Sequence, residues 1–126
     1  MGAIHVTVGI RNLAEPDRVW EGLFLVDTGA TDCLVPRQHL EAIGLTPTGY
    51  RVYELADGSE VRLGIAAAQV EFMGEFVGAT IVFGEPEAEP LLGVTALDSV
   101  GIEIDPRNQT LKRLPAVRLK GLLNSP

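Results

Sequence analysis

The 126-residue sequence has one cysteine and two histidines, too few to suggest disulfide bonds or a metal centre. Cys33 has no partner for a disulfide within the chain, and its apolar neighbours favour a buried side chain. His5 and His39 lack the close spacing of metal ligands, so we expect no metal and no cofactor. A Cys33–His39 nucleophile pair is also disfavoured, because Pro36 and a predicted break between strand and helix separate the two residues.

Positive charge and long apolar runs are scarce as well. Ten Lys and Arg residues stand against seventeen Asp and Glu, which gives a net charge of −7. Nucleic acids bind to clustered positive charge, so we expect no nucleic-acid partner. No apolar run reaches the length of a membrane span, and the first residues lack the basic segment of a signal peptide. We therefore expect a soluble, cytoplasmic protein without a membrane partner.

The apolar residues that are present, 46% of the sequence, are mostly Val, Leu, Ile and Ala in runs that favour strands. Turn signals such as Asp57-Gly58 separate these runs about every 8–12 residues, a spacing typical of β-sandwiches and barrels. The pattern predicts about eight short strands, with residues 60–65 and 66–72 as separate strands. Short helices are expected over residues 37–43 and 94–100, each followed by a glycine that can end it. The predicted fold class is therefore all-β, in one domain.

The most informative motif is Val26-Asp27-Thr28-Gly29-Ala30-Thr31, which lies between the apolar runs of residues 23–26 and 33–35. A carboxylate between two buried strands is costly to desolvate unless something compensates for it. One compensation is a second carboxylate that shares a proton with the first, as in the dyad of aspartic proteases. The tripeptide Asp27-Thr28-Gly29 occurs once, so such a dyad would need two copies of the chain. The alternative interpretation is that Asp27 only caps a tight turn by accepting backbone N–H groups.

Three segments together resemble the retropepsins, the single-domain, homodimeric aspartic proteases of retroviruses, which have relatives in bacteria and eukaryotes. Residues 25–30 are similar to the catalytic loop of that family, and residues 56–59 occupy the position of its flap tip. Leu91-Leu92-Gly93, followed by a predicted helix and residues 101–105, resembles the family's C-terminal segment. The order and spacing of these segments agree with the family over residues 3–114, and we expect a bacterial-type member of it.

The resemblance implies a closed, retropepsin-like (acid protease) β-barrel with one or two short helices over residues 1–114, and a C-terminal tail over residues 115–126. The chain departs from the viral pattern at two positions, where Thr31 and Val94 replace an Asp and an Arg that pair with each other. Because both partners are absent, neither charge is left buried alone, and the fold prediction is unaffected. The departure bears instead on the strength of the dimer and on the subsite that the Asp helps to form.

The same resemblance implies roles for the four residues of the catalytic loop. Asp27 and its symmetry mate would share one proton, one acting as general base on water and the other polarising the scissile carbonyl. Thr28 would hydrogen-bond across the dimer axis, whereas its alternative role is a locally satisfied hydroxyl. Gly29 and Ala30 would be small because backbone or substrate approaches them closely. The alternatives are that Gly29 is an ordinary turn glycine and that Ala30 only fills the core.

A second set of residues is expected in and near the hairpin of residues 56–59. Asp57 and Gly58 would form a mobile flap tip that closes over a bound peptide, and an ordinary hairpin turn is the alternative. Tyr53 is expected to be a simple strand residue, although it could brace the flap. Asp32 is expected at a solvated loop position, although it could line a subsite. Side-chain pockets for the substrate are assigned to Leu25, Val35, Ile81 and Val82.

These expectations combine into one function and two alternatives. The sequence predicts an aspartic endopeptidase that hydrolyses peptide bonds at acidic to mildly acidic pH, with water activated by a carboxylate dyad formed across a homodimer. Its partners would be a second copy of itself and a peptide or protein substrate. One alternative is a non-catalytic peptide-binding or dimerisation module on the same fold. The other is a regulatory protease that cleaves only its own precursor or a single partner.

Overall fold

The computed structural model describes residues 2–119, so residues 120–126 of the predicted tail lie outside the described part. Within residues 2–119 the chain forms nine strands and two helices of six residues each. In chain order these elements are β1 (His5–Arg11), β2 (Val19–Asp27), β3 (Cys33–Pro36), α1 (Arg37–Ala42), β4 (Gly49–Glu54), β5 (Glu60–Phe72), β6 (Glu75–Gly84), β7 (Leu91–Gly93), α2 (Val94–Ser99), β8 (Ile102–Asp105) and β9 (Thr110–Arg113).

Six of the strands close into a barrel. They follow one another in the order β1-β2-β7-β3-β6-β5, and β1 pairs again with β5 to complete the ring. Strand β4 lies outside the ring and pairs with the first half of β5, while β8 and β9 form a separate two-stranded sheet. The all-β, closed and mostly antiparallel barrel with two short helices that the sequence predicts is confirmed.

Alternate residues of the strands fill the barrel interior, as the two-residue period of a strand requires. In β1 and β2, the side chains of Val8, Ile10 and Phe24 are fully buried, whereas Leu23 is 60% exposed. Strand β5 shows the same alternation, which buries Ala68 and Val70 completely. Removal of this apolar surface from water is the main force that holds the barrel together.

Strand β5 corrects one prediction, because residues 60–65 and 66–72 form a single strand of 13 residues. Its first half pairs with β4, and its second half pairs with β6 and β1. Ile65 lies at the junction, opposite both Gly49 of β4 and Val82 of β6. No turn is needed there, because one continuous strand leaves the β4–β5 hairpin and enters the barrel. The hairpin is therefore a direct extension of the barrel wall.

Both helices end at the glycine that the sequence predicts. Gly44 follows α1 with φ of 85°, and Gly101 follows α2 with φ of 69°, in the left-handed region that favours glycine. Helix α1 also carries His39, whose ring stacks on that of Trp20 in β2 with 4.4 Å between the centroids. This contact holds α1 against the barrel wall.

An ion pair bridges the two strands that close the barrel, β1 and β5. Arg11 donates to both carboxylate oxygens of Glu71, at 2.6 Å from Nε and 3.3 Å from Nη2. Gln69 donates a further hydrogen bond to the same carboxylate at 2.7 Å. The hydrogen bond from Arg11 lowers the pKa of Glu71 below its ordinary value. Both charged side chains are 31% exposed, so water screens only part of their attraction.

We expect Glu71→Gln to lower the free energy of unfolding by about 1 kcal/mol at neutral pH. Because folding lowers the pKa of Glu71, the stabilisation is complete above the unfolded-state pKa and is lost as the pH falls through the folded-state pKa. The difference in stability between the variant and the wild type should therefore shrink below about pH 4, as measured by urea unfolding at a series of pH values.

The half-exposed pair of Lys112 and Glu103, with 3.5 Å between Nζ and Oε1, supplies the control. Glu103→Gln should change the free energy of unfolding by less than about 0.5 kcal/mol, because solvent screens this pair more fully. Equal losses of stability in the Glu71 and Glu103 variants would contradict the role given to the pair that bridges β1 and β5.

Candidate active site

Asp27 is the last residue of β2 and lies opposite Gly93 of β7. Its Oδ1 accepts the backbone N–H of Gly29 at 2.9 Å, and within residues 2–119 no other group donates to this carboxylate. A Cβ atom at position 29 would lie 3.2 Å from Oδ1, so glycine leaves room for the carboxylate. Asp27 therefore caps its own turn, as the alternative interpretation expects, but uses only one of its two oxygens to do so.

The turn after Asp27 lies at the surface of the chain. Thr28 and Gly29 are exposed, and Ala30 is half-buried. The N–H of Ala30 donates to the carbonyl of Asp27 at 3.1 Å and closes the turn. A second molecule can therefore reach Thr28 and Gly29 without displacing any other described part of the chain.

Two backbone hydrogen bonds hold the second half of this loop. The N–H groups of Val94 and Thr95, at the start of α2, donate to the carbonyls of Ala30 and Thr31 at 2.8 and 3.2 Å. Thr31 and Val94 are the two positions at which the viral pattern has its paired Asp and Arg. Here main-chain hydrogen bonds join the same two segments, so neutral side chains at these positions leave the loop attached.

Gly93 is required because β7 passes directly beneath the loop. Strand β7 pairs with β2 on one side and β3 on the other, so Gly93 lies between the two strands that the loop connects. A Cβ atom on Gly93 would lie 2.5 Å from the carbonyl oxygen of Asp32 and 2.9 Å from that of Thr31. The φ of Gly93, −82°, suits any residue, so the requirement for glycine is steric.

The hairpin predicted around Asp57 and Gly58 is also confirmed. The Asp57 carboxylate accepts hydrogen bonds from the hydroxyl of Ser59 at 2.6 Å and from its N–H at 2.9 Å, and these bonds lower the pKa of Asp57. Gly58 has φ of 86°, and nothing lies within 4 Å of the position that its Cβ would take. The tip is thus a hydrogen-bonded turn with open space beside Gly58.

The Asp27 loop, the β4–β5 hairpin and Gly93 all fall within a single family match. A sequence model described as aspartyl protease matches residues 18–96, which is more than half of the chain. The chain belongs to the aspartyl protease family. No curated protein matches the chain. The resemblance to retropepsin-like aspartic proteases is therefore confirmed, whereas the bacterial type of member stays a prediction.

Asp32 overturns a prediction about this member of the aspartyl protease family, because it is not a solvated loop residue. Its side chain is only 9% exposed. Its Oδ2 accepts the hydroxyl of Tyr53 at 2.6 Å and Nη1 of Arg51 at 3.1 Å. Burial raises the pKa of Tyr53 to about 12, and the hydrogen bond to Asp32 acts in the same direction. Tyr53 therefore stays protonated at neutral pH and is more than the simple strand residue that we expected.

The sequence contains a signal that would have found this cluster. Arg51 and Tyr53 are two residues apart in β4, so both side chains lie on one face of the hairpin. Asp32, a carboxylate in the loop between β2 and β3, is a suitable acceptor for both side chains. What the sequence does not supply is the distance between the loop and that face.

The predicted substrate pockets are corrected as well. Val35 and Ile81 are fully buried and Val82 is 3% exposed, so these three residues form barrel core instead of lining a surface pocket. Leu25 is half-buried at the end of β2. The prediction is wrong for Val35, Ile81 and Val82, because strands in the middle of a barrel wall are buried and offer little surface to a ligand. For Leu25 it stays a prediction.

Cys33 belongs to the buried core of the described chain. Cys33 is 1% exposed, and burial raises the pKa of its thiol to about 11, so the thiol is neutral at physiological pH. Among residues 2–119, no three His, Cys, Asp or Glu side chains lie close enough together to hold a metal ion. Neither helix in the described part of the chain has the length and hydrophobicity needed to cross a membrane.

We expect Gly93→Ala to lower the free energy of unfolding by about 1–3 kcal/mol, because the backbone of Asp32 must move to admit a methyl group. Gly78→Ala in β6 is the matched control, since nothing lies within 4 Å of its Cβ position. The control should change stability by less than about 1 kcal/mol. Urea unfolding measures both effects. A Gly93→Ala variant as stable as the Gly78→Ala variant would contradict the predicted clash between a side chain at position 93 and the Asp32 backbone.

Proposed function

We propose that the protein is an aspartic endopeptidase whose active site forms when two copies of the chain bring their Asp27 loops together. The observation that carries this proposal is the Asp27 loop of an aspartyl protease family member. It presents a carboxylate with one uncommitted oxygen, on a turn that two α2 N–H groups hold in place.

Two copies are needed because each chain supplies one such motif. A single carboxylate cannot be both the base that activates water and the acid that polarises the carbonyl. Two carboxylates about 3 Å apart share one proton, because like charges at that separation cannot both ionise. The exposure of Thr28 and Gly29 supports this assembly, since a second copy can reach them. In the proposed homodimer the Thr28 hydroxyls form hydrogen bonds across the two-fold axis.

The proposed chemistry proceeds without a covalent link between enzyme and substrate. The ionised Asp27 accepts a proton from water while the water oxygen attacks the peptide carbonyl carbon. The protonated carboxyl, the partner subunit's Asp27, donates its proton to the carbonyl oxygen. The C=O π bond breaks, and the product is a tetrahedral intermediate with two hydroxyl groups. The carboxyl that took the proton from water then donates it to the peptide nitrogen, and the C–N bond breaks. As the C=O bond re-forms, one hydroxyl of the intermediate returns its proton to the other carboxylate, so the dyad again holds one shared proton.

The proposed substrate is an extended stretch of polypeptide. Strand-like main-chain hydrogen bonds hold such a peptide in a groove without requiring a particular side chain. Asp57 and Gly58 lie at the tip of a hairpin that has open space around it, which suits a lid over the groove. Small residues at Gly29 and Ala30 let the scissile bond approach Asp27 closely.

We expect Asp27→Asn to lower kcat/KM for peptide hydrolysis by at least about 100-fold, because an amide neither accepts nor shares the catalytic proton. The amide oxygen of Asn can still accept the N–H of Gly29, so the fold and the dimer should persist. Digestion of a peptide library at acidic to neutral pH measures activity, and analytical ultracentrifugation measures the oligomeric state.

Asp98→Asn is the matched control, because Asp98 is an exposed carboxylate on α2 outside the Asp27 loop. It should cleave peptides at the wild-type rate. Wild-type cleavage by the Asp27→Asn variant would refute the catalytic role of Asp27. A stable monomer that cleaves nothing would favour the non-catalytic module, and cleavage confined to a precursor of this chain would favour the self-processing protease.

A further inference from the structure

One carboxylate joins the Asp27 loop to the β4–β5 hairpin. Asp32 is the residue just before β3, and its Oδ2 accepts hydrogen bonds from Tyr53 at 2.6 Å and from Arg51 at 3.1 Å. Both donors come from β4, and both converge on the same oxygen. A hydroxyl that donates to a carboxylate forms one of the stronger hydrogen bonds in proteins, so Tyr53 is the principal partner. Arg51 is 50% exposed, and water weakens its contribution.

The loop end of this contact is rigid. The carbonyl of Thr31, next to Asp32, accepts the N–H of Thr95 at 3.2 Å. The carbonyl of Asp32 lies so close to Gly93 that a Cβ on that glycine would approach it to 2.5 Å. The Asp32 backbone therefore cannot shift without disturbing β7 and the start of α2. A group bonded to the Asp32 carboxylate is positioned relative to the catalytic loop.

The backbone of the hairpin has few strand partners in the described chain. Residues 60–64 pair only with β4, because β6 joins β5 at Ile65 and β1 joins it at Gln69. The opposite face of the hairpin is open, with Tyr50 and Val52 59% and 57% exposed. A two-stranded ribbon of this kind is marginally ordered by itself. Its direction relative to Asp27 thus depends on the contact with Asp32.

We infer that Asp32 is a positioning residue that presets the flap hairpin over the catalytic loop through Tyr53, with support from Arg51. This inference rests on the proposed peptidase function and extends it. A preset hairpin loses less conformational freedom when peptide binds, so the contact favours substrate binding. The Asp32 carboxylate takes no part in the proton transfers, which leaves the chemical step unchanged. Loss of the contact should therefore raise KM and leave kcat nearly constant.

The deciding experiment compares Tyr53→Phe with Tyr50→Phe. Each variant removes one hydroxyl from β4, but only the Tyr53 hydroxyl donates to Asp32. Tyr50 lies on the opposite face, where the guanidinium carbon of Arg62 is 4.7 Å from the centroid of its ring. We expect amide hydrogens of residues 50–63 to exchange about tenfold faster in Tyr53→Phe, as loss of a hydrogen bond to a charged group predicts. KM should rise about tenfold while kcat stays within about twofold. Tyr50→Phe should match the wild type in both measurements.

A second pair of variants tests the charge. Arg51→Gln should show the same changes to a smaller extent, and Arg51→Lys should restore part of the loss. Arg62→Gln removes a positive charge from the same hairpin without touching Asp32, and it should have no effect. In an Asp32→Ala background, Tyr53→Phe should change exchange and KM by less than about twofold, because the acceptor is already gone.

The measurements separate failure of this inference from failure of the proposed function. If the wild type cleaves no peptide, the peptidase proposal fails, and hydrogen exchange still decides whether Asp32 holds the hairpin. Equal exchange in Tyr53→Phe and Tyr50→Phe would overturn the inference. The inference would also be overturned if Tyr53→Phe sped up amide exchange but left KM unchanged in an active enzyme. A Tyr53→Phe variant in which only kcat falls would overturn it as well.

Discussion

The close approach of β7 to the Asp27 loop is the contact on which the site depends. Gly93 lies against the carbonyl groups of Thr31 and Asp32, and no larger residue fits between them. That proximity brings the first N–H groups of α2 within reach of the loop carbonyls. Main-chain hydrogen bonds thus attach the Asp27 loop to α2, which explains why neutral residues can occupy positions 31 and 94.

The site has one rigid side and one side that the fold leaves open to movement. The rigid side is the loop between β2 and β3, which is attached to β7 and α2. The other side is the β4–β5 hairpin, which extends from the barrel wall and ends at Gly58 in open space. Asp32 connects the two sides, because this residue of the β2–β3 loop accepts hydrogen bonds from two residues of β4.

The isolated chain carries half of the proposed chemistry. The Asp27 carboxylate accepts one backbone N–H. The Asp27-Thr28-Gly29 motif occurs once in the sequence, so one chain does not supply a second carboxylate from the same motif. The exposure of Thr28 and Gly29 fits a loop that is completed by another molecule. The barrel itself needs no partner to close, since the pairing of β1 with β5 completes it within one chain. Folding and assembly of the active site are therefore separable steps in this proposal.

Local sequence patterns determined the fold class, the helix ends at Gly44 and Gly101 and the position of the Asp27 turn, because each depends on neighbours in the chain. The continuity of β5 through Ile65 was decided by its strand partners, which no local pattern reveals. The burial of Asp32 and its bonds to β4 depend on two segments about twenty residues apart meeting in space. Only tertiary structure brings such segments together, so it alone could show that the β2–β3 loop and the hairpin are joined by hydrogen bonds.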